Sequence, residues 1–61
     1  MTGNEVITKL KAAGWLLSRI QGSHHILTKD GIAVPVPVHG SRDLGIGLVA
    51  TIQRQTGVKL K

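Results

Sequence analysis

The residues in this chain best suited to chemistry at neutral pH are three histidines: the adjacent pair His24 and His25, and His39. An imidazole titrates near pH 6.5, so it can take or give a proton under physiological conditions. Other candidates are few. The chain has no Cys and no Tyr, and its three carboxylates, Glu5, Asp30 and Asp43, are scattered. Each carboxylate has an ordinary structural use: Glu5 in a helix cap, Asp30 in a turn, Asp43 ahead of a helix. Paired-carboxylate hydrolysis is therefore not expected. Adjacent residues on a strand point to opposite faces, which makes His24 and His25 a poor pair of metal ligands. No Gly-rich run joins a strand to a helix with a Lys behind it, which argues against a nucleotide phosphate loop. The residues thus call for neither a metal nor a cofactor.

Eight Lys and Arg against three acids give a net charge of +5 and a pI of about 10.5. That excess suits an anionic partner, either nucleic acid or an acidic protein surface. The cations run from Lys9 to Lys61 along the whole chain, so only the fold could gather them into one face. Trp15 is the sole aromatic residue, and a stacking platform for single-stranded bases needs several rings. No apolar run approaches the roughly 18 residues of a membrane span, and the first residues, Met1 to Glu5, do not form a secretory signal.

The elements that would position these groups are legible from periodicity. Thr2-Gly3-Asn4-Glu5 has capping-box spacing, and Val6, Ile7, Leu10 and Ala13 recur at helical intervals up to Gly14. Trp15 to Ile20 is apolar and ends at a Gln21-Gly22 turn; His24 to Lys29 follows and ends at Asp30-Gly31, a strong hairpin signal. Ile32 to Val38 alternates strictly, with Ile32, Val34, Val36 and Val38 on one face and Ala33, Pro35 and Pro37 on the other. Two prolines cannot donate to a ladder, so this strand belongs at a sheet edge. His39 to Asp43 reads as a loop. Leu48, Val49 and Ile52 mark a second helix that stops at Gly57, with Gly45 and Gly47 blurring its start. The expectation is one α+β domain over residues 1–61, α-β-β-β-α, in which two helices cover one face of a three-stranded antiparallel sheet. That order is also the order of the double-stranded-RNA-binding domain.

Three segments carry a family resemblance: Gly14-Trp15 through Arg19, Gly22-Ser23-His24-His25, and Val36-Pro37-Val38-His39-Gly40. With the segment from Asp43-Leu44 to Gly57, they resemble the HicA toxins of toxin–antitoxin systems over about Glu5 to Val58. Gly-Ser-His is weak alone but specific when Val-Pro-Val-His-Gly follows about a dozen residues on. The resemblance implies a cytoplasmic bacterial or archaeal mRNA interferase, a metal-independent ribonuclease neutralised by a HicB-type antitoxin that covers the active histidine. It maps the catalytic histidine to His24 and ranks His25 second. Gly45 departs from the family, whose members often carry a more helix-compatible residue there, and so predicts a frayed start to the second helix.

A metal-free nuclease can use the 2′-hydroxyl of its own substrate as nucleophile, with His24 as the base. Gly22 and Ser23 offer backbone donors close to a phosphate, and Arg19, Lys29 or Arg42 could balance its charge. The sequence does not choose among these three, and it leaves the second proton carrier open, with His25 and His39 the candidates for that role or for a substrate contact. A non-catalytic double-stranded-RNA-binding module explains the same fold and charge. So does a protein that only binds an acidic partner. Neither needs an imidazole after Gly22-Ser23.

Overall fold

The computed structural model describes all 61 residues. The first helix, α1 (Gly3–Ala12), starts at the cap its sequence encodes. Thr2 Oγ1 accepts from the Glu5 N–H at 3.2 Å, and Glu5 Oε1 accepts from the Thr2 N–H at 2.8 Å. Two of the donors that a helix start leaves unpaired are thereby satisfied. The same contacts hold the Glu5 carboxyl below its ordinary pKa, the Thr2 backbone bond contributing most and the Thr2 side chain next. The chain leaves α1 through Gly14, at a φ of +97°.

Three strands follow, β1 (Leu16–Gln21), β2 (His24–Lys29) and β3 (Ile32–Pro37), as an antiparallel sheet in the order β1-β2-β3. The first hairpin turns at Gly22-Ser23, where only Gly22 has positive φ, the sign pattern of a type II′ turn. The second turns at Asp30-Gly31, with φ of 51° and 80°, the type I′ pattern. The second helix, α2 (Ile46–Thr56), closes at Gly57 in the left-handed region. Its start is not frayed: Gly45 is the N-cap and its carbonyl accepts from the Val49 N–H at 3.1 Å. No helix is long and apolar enough to cross a membrane.

The pleat assigns the two faces of the sheet. Leu27, Val34 and Val36 are buried, and the register pairs Leu27 with Val34 and His25 with Val36, so all three project from one face. They pack in a single core with Val6, Ile7 and Leu10 of α1 and Val49 and Ile52 of α2. Both helices therefore lie on that face. The α-β-β-β-α order and three-stranded antiparallel sheet match the sequence expectation and are consistent with a double-stranded-RNA-binding-domain-like fold. The prolines of β3 do fall at an edge.

Some details depart from the sequence reading. Trp15 precedes β1 rather than opening it, and its ring is buried, so it offers no stacking surface. Leu48 is partly exposed, and the core contacts of α2 come from Val49 and Ile52. The basic tail is folded back: Gln53 Oε1 accepts from the N–H groups of Leu60 (2.9 Å) and Lys61 (3.2 Å), and Leu60 is buried.

Gly3 is needed for close packing. A Cβ there would collide with the Pro37 carbonyl oxygen and lie 3.0 Å from Val38 Cγ2. Gly3→Ala should therefore destabilise by about 1–3 kcal/mol, against the usual helix preference for Ala. Gly47, with open space around it, should gain about 0.5–1 kcal/mol as Gly47→Ala. Urea unfolding of the two variants reads both signs, and a stabilised Gly3→Ala would disprove the close contact between α1 and β3. A second expectation concerns pH. Because the folded pKa of Glu5 lies below its unfolded value, the stability it contributes is complete above the unfolded value. That contribution is lost as pH falls through the folded one. Glu5→Gln keeps an acceptor but cannot titrate, so its urea midpoint should fall less steeply with acid than that of the wild type.

Candidate active site

His24 opens β2 and is exposed. Leu27 faces the helices, so strand alternation puts His24, Ile26 and Thr28 on the opposite, open face and turns His25 inward. His25 is half-buried and lies in register with Ile20 and the buried Val36. The two adjacent imidazoles thus serve different faces, as the pleat requires.

The immediate neighbours of His24 on the open face are Gln21 of β1 and Pro37 of β3, each directly across in register. Arg19 is set diagonally, opposite Ile26, at roughly 7–8 Å by ordinary sheet geometry. A β-bulge puts it there. Register passes from Leu17↔Leu27 to Arg19↔Ile26, leaving Ser18 as an extra residue. Without the bulge, with Ser18 taken into the ladder, Arg19 would pair with His25 and face the helices, while Ile20 would stand beside His24. Nothing in the sequence reading signalled the bulge or singled out Gln21.

The Gly22-Ser23 turn sits at the end of the sheet beside His24. Gly22 meets its conformational demand through a φ of +59°, with no protein atom near its missing side chain. The carbonyl of Ser23 accepts from the Val38 N–H at 2.7 Å, which fastens the turn to the end of β3. His39 is exposed and lies two residues past Pro37, and its carbonyl accepts from the Arg42 N–H at 3.1 Å. The exposed His39 and Arg42 therefore belong to the loop that leaves β3 at the His24 end.

Lys29 is held elsewhere. It closes β2 at the opposite end, about 16 Å from His24 by strand rise. Its Nζ donates to the Ala13 carbonyl at 2.8 Å and caps the C-terminus of α1. The structure thus brings Arg19, Gly22, Ser23, His39 and Arg42 to the His24 end of the sheet, but not Lys29.

Arg19 and Arg42 have no carboxylate partner. The single ion pair of the chain joins the Met1 ammonium to Asp43 at 3.1 Å. No three His, Cys, Asp or Glu side chains converge on a point that could hold a metal ion. The arrangement offers an exposed imidazole, an unpaired guanidinium on the same face and a tight turn anchored at its side. An imidazole and a guanidinium so placed can together serve proton transfer beside an anion.

Lys29→Met should lower stability by about 1 kcal/mol, through the lost bond to Ala13. Arg19→Met, which breaks no bond within the chain, should stay within about 0.5 kcal/mol of wild type. Thermal unfolding of both variants measures the contrast, and equal losses would remove the distinction between a structural and a free cation.

Residues 3–58 match the family described as "HicA toxin of bacterial toxin-antitoxin". No curated protein matches the chain.

Proposed function

The chain belongs to the HicA family of toxins of bacterial toxin–antitoxin systems, and from that premise we propose that it is a metal-independent ribonuclease that cuts mRNA with His24. The observation that carries this reading is the placement of His24 on the open face of the sheet, with unpaired Arg19 diagonal to it and the Gly22-Ser23 turn at its side. A histidine kept for packing would sit where His25 sits.

His24 takes the proton of a ribose 2′-hydroxyl, and the freed oxygen attacks the adjacent phosphorus. The bond to the 5′-oxygen breaks, and that oxygen leaves with a proton from an acid. The products are a 2′,3′-cyclic phosphate and a 5′-hydroxyl end. Negative charge builds on the phosphorane oxygens, where Arg19 supplies a cation and the N–H groups of Gly22 and Ser23 supply donors. His39 and Arg42, in the loop at the same end, are the second proton carrier and a further phosphate contact in this scheme. The scheme needs no metal or cofactor. The same reading makes an antitoxin of HicB type the neutralising partner, the cytoplasm the place of action, and residues 1–61 a single HicA-like domain.

The test is cleavage of labelled RNA in EDTA by wild type and His24→Ala. Loss of a general base should slow cutting by about 10²–10⁴-fold. Stability should change by about 0.5 kcal/mol or less, because the ring is exposed. RNA binding should survive, resting on Lys and Arg contacts to phosphate. An all-2′-deoxy strand of the same sequence should stay intact. His25→Ala should instead lose stability and keep cleavage. If His24→Ala cuts as wild type does, the assignment fails, and a non-catalytic double-stranded-RNA-binding module becomes the better account. Activity that needs added divalent ion would overturn the metal-free chemistry.

A further inference from the structure

The two edges of the sheet are built differently. β3 carries Pro35 and Pro37, which have no N–H to donate. Their nitrogens must face away from β2, so the β2–β3 ladder runs through His25↔Val36, Leu27↔Val34 and Lys29↔Ile32. The outer rim of β3 therefore lacks donors at both proline positions and is sealed against a further strand.

The same parity fixes β1. His24, Ile26 and Thr28 must direct their backbone groups to β1, where they meet Gln21, Arg19 and Leu16. Leu17 and Ile20 then point their N–H and C=O groups outward. β1 contains neither Pro nor Lys, and all six of its residues are exposed. Leu16, Leu17 and Ile20 are 70%, 37% and 55% exposed. An edge of this kind is a template for another strand.

Charge selects the occupant. Each copy of the chain carries +5, and Arg19 stands in the middle of β1, so pairing with a second copy sets like charge against like. An extended segment of another protein, apolar toward Leu17 and Ile20 and acidic toward Arg19, meets the edge without that conflict. We propose that the antitoxin of this system adds such a strand along β1, extending the sheet to four strands. The inference rests on the family's partnership with an antitoxin, not on the ribonuclease reading. An added strand would lie about 10 Å from β2, with Gln21 between it and His24. A partner anchored there lies beside His24, one strand away from covering it.

Hydrogen exchange on the purified toxin–antitoxin complex tests this directly. The Leu17 and Ile20 amides should exchange at least roughly tenfold more slowly in the complex than in the free toxin. Ile20→Pro removes an outward donor while leaving the β1–β2 ladder intact. It should weaken the complex by about tenfold, the worth of one backbone hydrogen bond, mainly through faster dissociation. Ile20→Thr keeps the donor and a branched side chain, and should bind more tightly than Ile20→Pro. Thermal unfolding checks that both variants fold, and the exchange result on unmodified complex stands without either. Unprotected Leu17 and Ile20 amides in a saturated complex would overturn the proposal. So would protection of the same amides in a dimer of the free toxin, which would make a second copy the occupant. RNA cleavage is scored separately, so failure of the docking edge and failure of the His24 assignment are distinguishable.

Discussion

Burial of Leu27, Val34 and Val36 beneath two helices is the constraint from which the rest of the structure follows. Only eleven residues of the chain are buried, ten of them in one hydrophobic cluster, and no charged or polar side chain is among them. A 61-residue domain has little stability to spare, so the face that carries these three residues must be the covered one. Once Leu27 points inward, the period of two along β2 leaves no freedom. His25 goes in, and His24 goes out. The exposure of His24 follows from the same alternation that forms the core.

The neighbouring strands reach the same face by different devices. On β3, the prolines fall at the positions whose nitrogens face the free rim, so they cost no ladder bonds and fix which pairs carry hydrogen bonds. On β1, simple alternation would have failed. Counted from Leu17, it would turn Arg19 toward the helices and Ile20 toward solvent beside His24. The extra residue at Ser18 reverses both, bringing a cation to the open face and an aliphatic side chain to the covered one. The bulge, rather than a pairwise contact, sets which charge shares a face with His24.

This explains what could be read in the sequence and what could not. The capping box at Thr2 and Glu5, the Asp30-Gly31 hairpin and the Val34-Val36 alternation are local signals, and each element stands where its signal put it. The opposed faces of His24 and His25 were equally legible, since they follow from the pleat alone. The bulge was not, because Leu16 to Gln21 has no alternation strong enough to reveal a slip in register. For that reason the sequence could not rank Arg19 above Lys29 or Arg42. The capture of Lys29 by the Ala13 carbonyl is a contact between residues sixteen positions apart, and only the packing of α1 on the sheet creates it. The fold-back of the tail onto Gln53 is invisible for the same reason.

The electrostatics of the chain also bear on its partners. One ion pair, and that from the terminal ammonium, is all the internal neutralisation the structure provides for an excess of five positive charges. Lys29 spends its charge on a helix end, while Arg19 and Arg42 spend theirs on nothing inside the molecule. Exposed cations contribute little to folding, so this arrangement is cheap to maintain, and self-repulsion is its only cost. What it leaves is a surface whose charge is complemented from outside. A polyanion and an acidic protein are both such complements, and at Arg19 they would compete for the same guanidinium. A partner that neutralises Arg19 from the β1 edge would therefore remove that guanidinium from the charge available to any anion on the open face.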